Sequence, residues 1–479
     1  MKILFVIPRQ ATTLNEKPKH PHVGVAYLSS WLAKNDISID IFDDGIEESY
    51  EKLENKIKDD NIGLIAITMY SYGYNNGIDL INFVKNKANT PLVVGGAHVS
   101  ATKKQILQET TADFAIKHEG EKTLLELFQY VSEGNHNYCD IDGLIWRNNN
   151  EIIENKDRPF LTSKELDELP LPDYYTAFDF SKYIYHQFKA LPIITSRGCP
   201  YMCNYCSVKL SMGRGFRFRS PENVLSELET LYDKGIRFFD INDDCFTLDM
   251  KRANDICDRI IKSGMKIKFS LYNGIRVDRI DYDLLSKMKE AGCTFIVFGC
   301  ESGNNEVLKE IKKGITTQQV FQVSKWARAL KINHAVNFIT GLPRETYKTA
   351  LDSIDFARKL PCNFVNFYNL VPYPHTEVYE WVLNNGRFLI NSNDYLKSVS
   401  IGDNVPIFET QEFTKEERLK INKMGFNMNE RKILEFRFGK FIGGIIFYIT
   451  RISYMHKIAL KVAKLKIFYS FFLSLKSKT

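Results

Sequence analysis

Three cysteines lie within eight residues in the stretch Arg197-Gly198-Cys199-Pro200-Tyr201-Met202-Cys203-Asn204-Tyr205-Cys206-Ser207. The apolar run 191–195 comes just before it and is typical of a buried strand. Thiolates are soft ligands that suit zinc, copper(I) or iron–sulfur clusters. The spacing Cys-x3-Cys-x2-Cys has no fourth Cys or His nearby, so a four-ligand centre here would keep one open position. The sequence therefore predicts a metal-binding loop at the end of a strand.

A zinc site completed by a distant ligand and a set of unligated buried cysteines are the alternatives for this loop. The stretch resembles the signature of the radical S-adenosylmethionine (SAM) superfamily, which has the same spacing and an aromatic residue, here Tyr205, before the last cysteine. The resemblance implies a [4Fe–4S] cluster held by Cys199, Cys203 and Cys206, whose open iron binds the amino and carboxylate groups of SAM. In that superfamily the reduced cluster cleaves SAM to a 5′-deoxyadenosyl radical.

The chain has 479 residues, which is long enough for two or three domains. Its net charge of +6 is uneven, because residues 431–479 hold eleven Lys and Arg against the single acid Glu435. Nine cysteines, three of them clustered in a loop, favour metal binding in a reducing compartment over a disulfide framework. No run of about 18 apolar residues is present and Pro8 soon ends the first apolar run, so the expected location is the cytoplasm.

Strands and helices alternate through residues 1–140, which predicts a Rossmann-like domain that binds ligands at the carboxyl ends of its strands. Gly95 and Gly96 end one of these strands, where glycines serve either a plain strand-to-helix turn or the close approach of a ligand. We expect strands at 2–7, 37–42, 64–68, 91–96 and 114–116, and helices at about 25–32, 46–58, 76–88 and 123–131.

The pair Gly95-Gly96 and the later stretch His118-Glu119-Gly120-Glu121-Lys122-Thr123 resemble the amino-terminal domain of the cobalamin-dependent radical SAM class. The resemblance covers residues 1 to about 140 and implies that Gly95 and Gly96 let cobalamin approach the backbone. The Asp-x-His-x-x-Gly loop that supplies a cobalt ligand in other cobalamin proteins is absent. We therefore expect cobalamin without a protein histidine on cobalt, and we expect three histidines to be loop residues: His20, His22 and His98.

Residues 141–186 are predicted to be a linker with one strand pair, at 143–146 and 151–153. From 187 to 390 the alternation restarts, which predicts a radical SAM core built as a partial (β/α)6 barrel with its site at the carboxyl ends of the strands. The six strands are expected to begin near residues 191, 236, 267, 294, 336 and 364. The turns Glu301-Ser302-Gly303 and Gly341-Leu342-Pro343-Arg344-Glu345-Thr346 are similar to strand-end motifs of that core.

Acidic residues end two of these strands. Asp243 or its neighbour Asp244 is expected to hold the amino group of SAM, where other radical SAM proteins have a Gly-Gly-Glu motif, with a helix N-cap as the alternative. Glu301 is expected to accept hydrogen bonds from the ribose hydroxyls, and a buried salt bridge to Arg276 is the alternative. No catalytic residue beyond these ligands is identified, and most of the other six cysteines are expected to lie in the core.

Residues 391–479 are expected to form a mostly helical extension, helical from Thr414 onward, with a basic, amphipathic tail at 431–479. Two apolar runs, 441–450 and 467–475, flank basic residues, and each is too short to span a bilayer. This combination predicts a segment that lies at an anionic membrane surface. A helical hairpin packed on the barrel is the alternative, and nucleic acid is disfavoured because the tail is poor in arginine.

The resemblance thus implies an α/β enzyme that uses a 4Fe-4S cluster, SAM and cobalamin, and methylation of an unactivated carbon is the favoured reaction. The alternatives are a cyclase or rearrangement enzyme with the same cofactors and a non-catalytic, membrane-recruited cobalamin sensor. The substrate is expected to be a small molecule, free or linked to a lipid or glycan. A flavodoxin- or ferredoxin-like protein is expected to supply electrons, and the cytoplasmic location includes the inner face of the membrane.

Overall fold

The computed structural model describes residues 1–9, 18–47, 49–149, 151–390, 395–398 and 405–451. The chain divides into two compact units. The first comprises Met1–Ile236, Asp243–Cys245 and Val371–Asp403, and the second comprises Arg237–Asn242, Phe246–Leu370 and Asn404–Thr479. The domain boundaries expected at residues 140, 186 and 390 stay predictions.

A seven-stranded sheet forms much of the first unit, with strands β1 (Lys2–Ile7), β2 (Ser38–Asp43), β3 (Ile62–Thr68), β4 (Leu92–Gly95), β5 (Phe114–Ile116), β6 (Leu144–Asn148) and β7 (Glu151–Glu154). Their order is β2-β1-β3-β4-β5-β6-β7. The first five strands are parallel, whereas β6 runs antiparallel to both β5 and β7. The predicted Rossmann-like sheet is present, and the strand pair expected in the linker extends it.

Helices connect these strands and bury their apolar residues against the sheet: α1 (Val23–Lys34), α2 (Tyr50–Ile57), α3 (Tyr74–Lys87), α4 (Ala97–Thr102), α5 (Lys104–Glu109) and α6 (Glu121–Ser132). Strands β1 and β3 are buried along nearly their whole length, as parallel strands covered on both faces are. The short helices α4 and α5 are absent from the sequence prediction, because the apolar positions of so few residues set no clear period.

The rest of the first unit carries the cysteine stretch. Its elements are α7 (Ser163–Glu168), α8 (Ile184–Gln187), β8 (Ala190–Ile193), β9 (Ser196–Arg197), α9 (Val208–Ser211), β10 (Arg217–Phe218) and α10 (Pro221–Asp233). The two-residue strands β9 and β10 pair antiparallel, with Arg197 opposite Arg217. The three cysteines therefore lie in the excursion between two paired strands.

The second unit contains five parallel strands, each hydrogen-bonded to the next in chain order. Its elements run β11 (Phe238–Ile241), α11 (Met250–Ser263), β12 (Lys268–Ile275), α12 (Tyr282–Glu290), β13 (Cys293–Glu301), α13 (Asn305–Glu310), α14 (Thr317–Ala329), β14 (Asn333–Thr340), α15 (Tyr347–Lys359) and β15 (Phe364–Asn369). Together with β8, all six strands predicted for the radical SAM core are present.

The remaining elements are α16 (Glu377–Asn385) and β16 (Gly386–Phe388) in the first unit, then β17 (Phe408–Thr410), α17 (Lys415–Phe438) and α18 (Lys440–Ile449) in the second. Short 3-10 helices lie at Ser71–Gly73, Phe180–Lys182 and Tyr395–Ser398. Helix α17 begins where predicted, because the side chain of Thr414 accepts a hydrogen bond from the N–H of Glu417 in a capping box.

Helix α17 covers the outer edge of β15. The side-chain oxygen of Asn429 accepts a hydrogen bond from the backbone N–H of Val365 at 3.1 Å. One turn earlier, Gly425 packs so closely that a Cβ there would lie 2.4 Å from the ring of Phe367. An uncovered edge strand can pair with a strand of another chain, and α17 blocks that pairing by covering β15. The C-terminal extension therefore covers the edge strand β15 of the second unit.

Helix α18 packs back on α17 through Gly443, where a Cβ would lie 2.4 Å from the carbonyl oxygen of Leu434. This contact fits the helical hairpin that the sequence left open for the tail. In the part of the chain that the structure describes, no helix is both long and apolar enough to cross a membrane. The second apolar run, 467–475, lies outside the described residues.

Candidate active site

The cysteine loop begins at a glycine that no other residue can replace without strain. Gly198 has a φ of +83°, and a Cβ on it would lie 2.3 Å from the carbonyl oxygen of Gly215. Cys203 is buried, whereas Cys199 and Cys206 are partly exposed. The backbone N–H of Cys206 donates to the carbonyl oxygen of Cys203 at 3.2 Å. Two of the three cysteines are thus partly accessible, and a backbone hydrogen bond joins the second to the third.

The donor set of this loop is three thiols, which suit zinc and iron–sulfur clusters alike. Among the described residues, no three His, Cys, Asp or Glu side chains converge on a point where they would hold one metal ion. The zinc alternative therefore finds no completed site in that part of the chain. In a cubane cluster each cysteine binds a different iron, so the three sulfurs need not converge. Three thiols on one short loop fit that requirement.

Asp243 is held in place by donors that precede the cysteines. One carboxylate oxygen accepts from the N–H of Thr195, and the other accepts from the hydroxyls of Thr195 and Ser196, each at 2.6 Å. Asp243 is 2% exposed. Its side chain fastens the strand end to the start of the cysteine loop, and it does not cap the following helix, because Asp249 does that. The N-cap alternative for Asp243 is therefore wrong.

Asp244 is more accessible to a ligand than Asp243, both of whose carboxylate oxygens already accept hydrogen bonds from the protein. It is half-buried, and its Oδ2 accepts from the N–H of Gly198, next to Cys199, at 2.8 Å. Burial raises the pKa of Asp244 to about 6, although the Gly198 N–H acts in the opposite direction. A nearby ammonium group would stabilise the ionised form of this carboxyl group. Of the two neighbours that the sequence singled out, Asp244 is the one better placed to meet such a group.

Glu301 lies in the second unit at the end of β13. Its φ of +71° is unusual for a residue with a Cβ, and such strained positions cluster at functional sites. Its Oε1 accepts a hydrogen bond from the buried Lys313 at 2.7 Å. Arg276 instead pairs with Asp278 at 2.9 Å and donates to the carbonyl oxygen of Lys313. The alternative for Glu301, a buried salt bridge to Arg276, is therefore wrong, because the partner is Lys313. The role of Glu301 toward SAM stays a prediction.

Gly95 and Gly96 differ in what requires them. Gly96 has a φ of +105°, and a Cβ on it would lie 2.8 Å from the carbonyl oxygen of Met69, so the fold itself needs a glycine there. A Cβ on Gly95 would meet no atom closer than 4.0 Å. The space at Gly95, at the carboxyl end of β4, is therefore open to a ligand. This observation fits a cobalamin that approaches the backbone at Gly95.

Each of the three histidines makes a hydrogen bond within the protein. His22 caps α1, since its Nδ1 accepts from the N–H of Val25 at 3.1 Å. His20 bonds through its Nδ1 to the carbonyl oxygen of Pro21. His98 lies in α4 and is 2% exposed, with its Nδ1 3.0 Å from Ser71 Oγ, so the expectation of a loop residue is wrong for His98.

Stacked aromatic rings at this edge were missed in the sequence. Tyr70 and Tyr72 follow β3, and their ring centroids are 5.2 Å apart with an interplanar angle of 12°. The ring of His22 lies 5.4 Å from that of Tyr70. The alternation of tyrosines in 70–74 was the available signal, but tyrosines after a strand are equally common in the core. Lys313, the partner of Glu301, was missed because nothing local marks it as buried.

A strand-borne cysteine triad, acidic strand ends and a separate Rossmann-like sheet define a radical SAM enzyme with a cobalamin-type domain. The radical SAM superfamily matches residues 193–357, and the B12 binding domain matches residues 10–128. The chain belongs to the cobalamin-dependent radical SAM enzymes. It is 31% identical over 435 residues to the uncharacterized methyltransferase PH0819 of Pyrococcus horikoshii, a match that spans 89% of this chain and 92% of that protein.

A second relative has a different reaction. The anaerobic magnesium-protoporphyrin IX monomethyl ester cyclase of Cereibacter sphaeroides is 27% identical over 394 residues, which is 79% of this chain and 63% of that one. Among solved structures, the radical S-adenosylmethionine methyltransferase TsrM from Kitasatospora setae, with cobalamin and a [4Fe–4S] cluster bound, has a TM-score of 0.71 at 17% identity. That match covers 80% of this chain and 75% of TsrM, and it shows the shared fold.

Proposed function

We propose that this chain is a methyltransferase that uses a 4Fe-4S cluster, SAM and cobalamin to methylate an unactivated carbon of a small molecule. The observation that carries the proposal is the loop of Cys199, Cys203 and Cys206, which brings three thiols together in eight residues between two paired strands. Its methyltransferase relative and the open strand end at Gly95 support it. When bound, the cluster and SAM supply a 5′-deoxyadenosyl radical and cobalamin supplies a methyl carrier.

The chain's own residues have separate tasks in this proposal. The three cysteines bind three irons as thiolates. Asp244 accepts hydrogen bonds from the amino group of SAM, while Asp243 keeps the strand end fixed to the loop. Glu301 accepts from the ribose hydroxyls through Oε2, since Lys313 occupies its Oε1. Asp243, which the sequence singled out together with Asp244 for the amino group of SAM, instead holds the backbone next to Asp244 in place.

Anaerobic reconstitution with iron, sulfide, cobalamin and SAM, followed by mass spectrometry, tests the reaction. Methylation yields S-adenosylhomocysteine together with 5′-deoxyadenosine. Cys203→Ala should lose the brown iron–sulfur absorbance, while Cys139→Ala, which removes an exposed cysteine outside the loop, should keep it. A full cluster in the Cys203→Ala variant would refute the ligand assignment.

A ring-forming or rearranging enzyme with the same cofactors is the second candidate, and the cyclase relative favours it. This reaction produces 5′-deoxyadenosine without S-adenosylhomocysteine. The same assay therefore separates the two candidates. In either case an external flavodoxin- or ferredoxin-like protein supplies the electron, and a titration with such a protein in place of a chemical reductant tests that partner.

We also propose that α18 contacts an anionic membrane surface, which would bring the enzyme to a lipid-linked substrate. Phe441 is 81% exposed and Tyr448 is 65% exposed, and Ile445 lies between them on the same face. Lys440 and the basic residues after it supply the positive charge that such a surface attracts.

Flotation with phosphatidylserine-containing vesicles tests this contact. The wild-type chain should float with these vesicles and not with neutral ones. Phe441→Ser combined with Tyr448→Ser should abolish flotation, whereas Leu419→Ser, at an exposed position of α17, should not. Wild-type protein that stays in solution with both kinds of vesicle would refute the membrane contact.

A further inference from the structure

Glu119 lies in the turn after β5, and its carboxylate contacts both flanks of the cysteine loop. Its Oε1 accepts from Nη1 of Arg197 at 2.9 Å and from Nη1 of Arg217 at 2.6 Å. Its Oε2 accepts from the backbone N–H of Leu161 at 2.8 Å. Arg197 stands two residues before Cys199, and Arg217 lies on the strand that follows the loop. One carboxylate therefore joins the two ends of the loop.

Further contacts complete this group of four buried charges. Nη2 of Arg197 lies 2.8 Å from Oε1 of Glu121. Nη2 of Arg217 donates to the carbonyl oxygen of Met212 at 2.7 Å. The four side chains are between 6% and 11% exposed, and their formal charges cancel. Burial alone would raise the pKa of Glu119, but Arg197 and Arg217 outweigh it and hold that pKa below its usual value.

A buried charge group of this kind is weak evidence for stability, because desolvation offsets much of the attraction. Its position is more informative than its energy. Glu119 belongs to the turn at the carboxyl end of the sheet edge where Gly95 lies, since Gly95 pairs with Ile116 of β5. The Glu-x-Glu turn that resembles the cobalamin domain thus bonds to the arginines of the cysteine loop.

We propose that Glu119 is a positioning residue for the iron–sulfur cluster. It fastens both ends of the loop, so that the three thiolates keep the geometry that the cluster needs, and it balances the charge of the two arginines beside it. The inference rests on the proposed cluster at Cys199, Cys203 and Cys206. Partners that orient metal ligands typically change metal affinity by about 10–100-fold when they are removed.

Glu119→Gln separates the two roles of this carboxylate when it is compared with three other variants. After reconstitution, iron release to a chelator should be about ten times faster than in the wild type. The midpoint potential of the SAM-free cluster should become more positive, since two arginines are then balanced by one carboxylate and the reduced cluster is stabilised. Glu119→Asp keeps the charge, so its potential should stay near the wild-type value while iron release is faster.

Glu121→Gln should shift the potential in the same direction but release iron slowly, because Glu119 still joins Arg197 to Arg217. Glu154→Gln is the matched control, since Glu154 pairs with the buried Lys117 in the same sheet and does not contact the loop. The proposal would be overturned if Glu119→Gln and Glu154→Gln had the same rate of iron release and the same midpoint potential. If Glu119→Gln does not fold by circular dichroism, Glu119→Asp and Glu121→Gln carry the test. A wild-type chain that takes up no cluster would instead refute the proposed function.

Discussion

Glu119 in the first unit and Glu345 in the second are buried carboxyl groups in turns that follow a parallel strand. Their surroundings shift the pKa of the two groups in opposite directions. Two guanidinium groups hydrogen-bond to Glu119 and keep its pKa low. Glu345 accepts from the backbone N–H groups of Gly341 at 2.6 Å and Leu342 at 3.2 Å. Burial nevertheless raises its pKa to about 7, with those N–H groups and Arg418 acting against the shift.

The difference teaches that peptide N–H groups can hold a carboxyl group in place without keeping it ionised. Arg418 is near Glu345, but its guanidinium group donates hydrogen bonds to the carbonyl oxygens of Phe408 and Phe413. Two arginines in direct contact keep the Glu119 turn charged. Backbone donors hold the Glu345 turn in shape and leave the pKa of its carboxyl group raised.

The largest effect should come from removal of one arginine from the Glu119 group. Arg217→Met leaves a buried carboxylate with one cation fewer, and such changes cost about 3–5 kcal/mol of unfolding free energy. Urea unfolding of the cofactor-free chain measures this loss. The double variant Arg217→Met, Glu119→Gln should lose less than Arg217→Met alone, since the uncompensated charge is gone. A single variant as stable as the wild type would mean that the group is already hydrated.

The pH dependence of stability should set Glu345 apart from Glu119. The pKa of Glu345 is about 7 in the folded chain and about 4.5 in the unfolded chain, so protonation of Glu345 stabilises the fold. This stabilisation is fully present below about pH 4.5 and is lost as the pH rises through 7. A rise of the pKa from 4.5 to about 7 corresponds to about 3 kcal/mol. Glu345→Gln cannot titrate, so the difference in unfolding free energy between it and the wild type should change by this amount from pH 4.5 to 8. An unchanged difference would contradict the raised pKa.

The two glycines of the β4 edge show how much of a strand end depends on backbone shape rather than on charge. Gly96→Ala should cost about 1–2 kcal/mol, because its positive φ disfavours a Cβ and the Met69 carbonyl oxygen blocks it. Gly95→Ala should change unfolding free energy by less than about 0.5 kcal/mol. Gly95→Val should weaken cobalamin binding in equilibrium dialysis while it leaves the fold intact. Equal losses of stability at both positions would show that the space at Gly95 is not free.

Sequence reasoning reached the fold because its signals are local. The cysteine spacing is contained in eight residues, and strand and helix periods repeat within each unit of the barrel. The Glu119 contacts were out of reach, since Arg197 and Arg217 stand 78 and 98 residues away along the chain. The alternative partner considered for Glu301, Arg276, was wrong for a related reason. Arg276 and Lys313 are both basic but 37 residues apart, and only the packed structure shows that Lys313 donates to the carboxylate.

The smallest effect should come from an ion pair on the surface. The number of ion pairs alone therefore does not predict stability. Arg358 and Asp355 on α15 are 2.8 Å apart, but their side chains are 68% and 59% exposed. Water and salt screen such pairs, so Asp355→Asn should change unfolding free energy by about 0.5 kcal/mol or less. Its effect should shrink further at high ionic strength, whereas that of Arg217→Met should persist because the Glu119 group is buried. If the two variants responded alike to salt, burial would not be what distinguishes the Glu119 group from an ordinary surface pair.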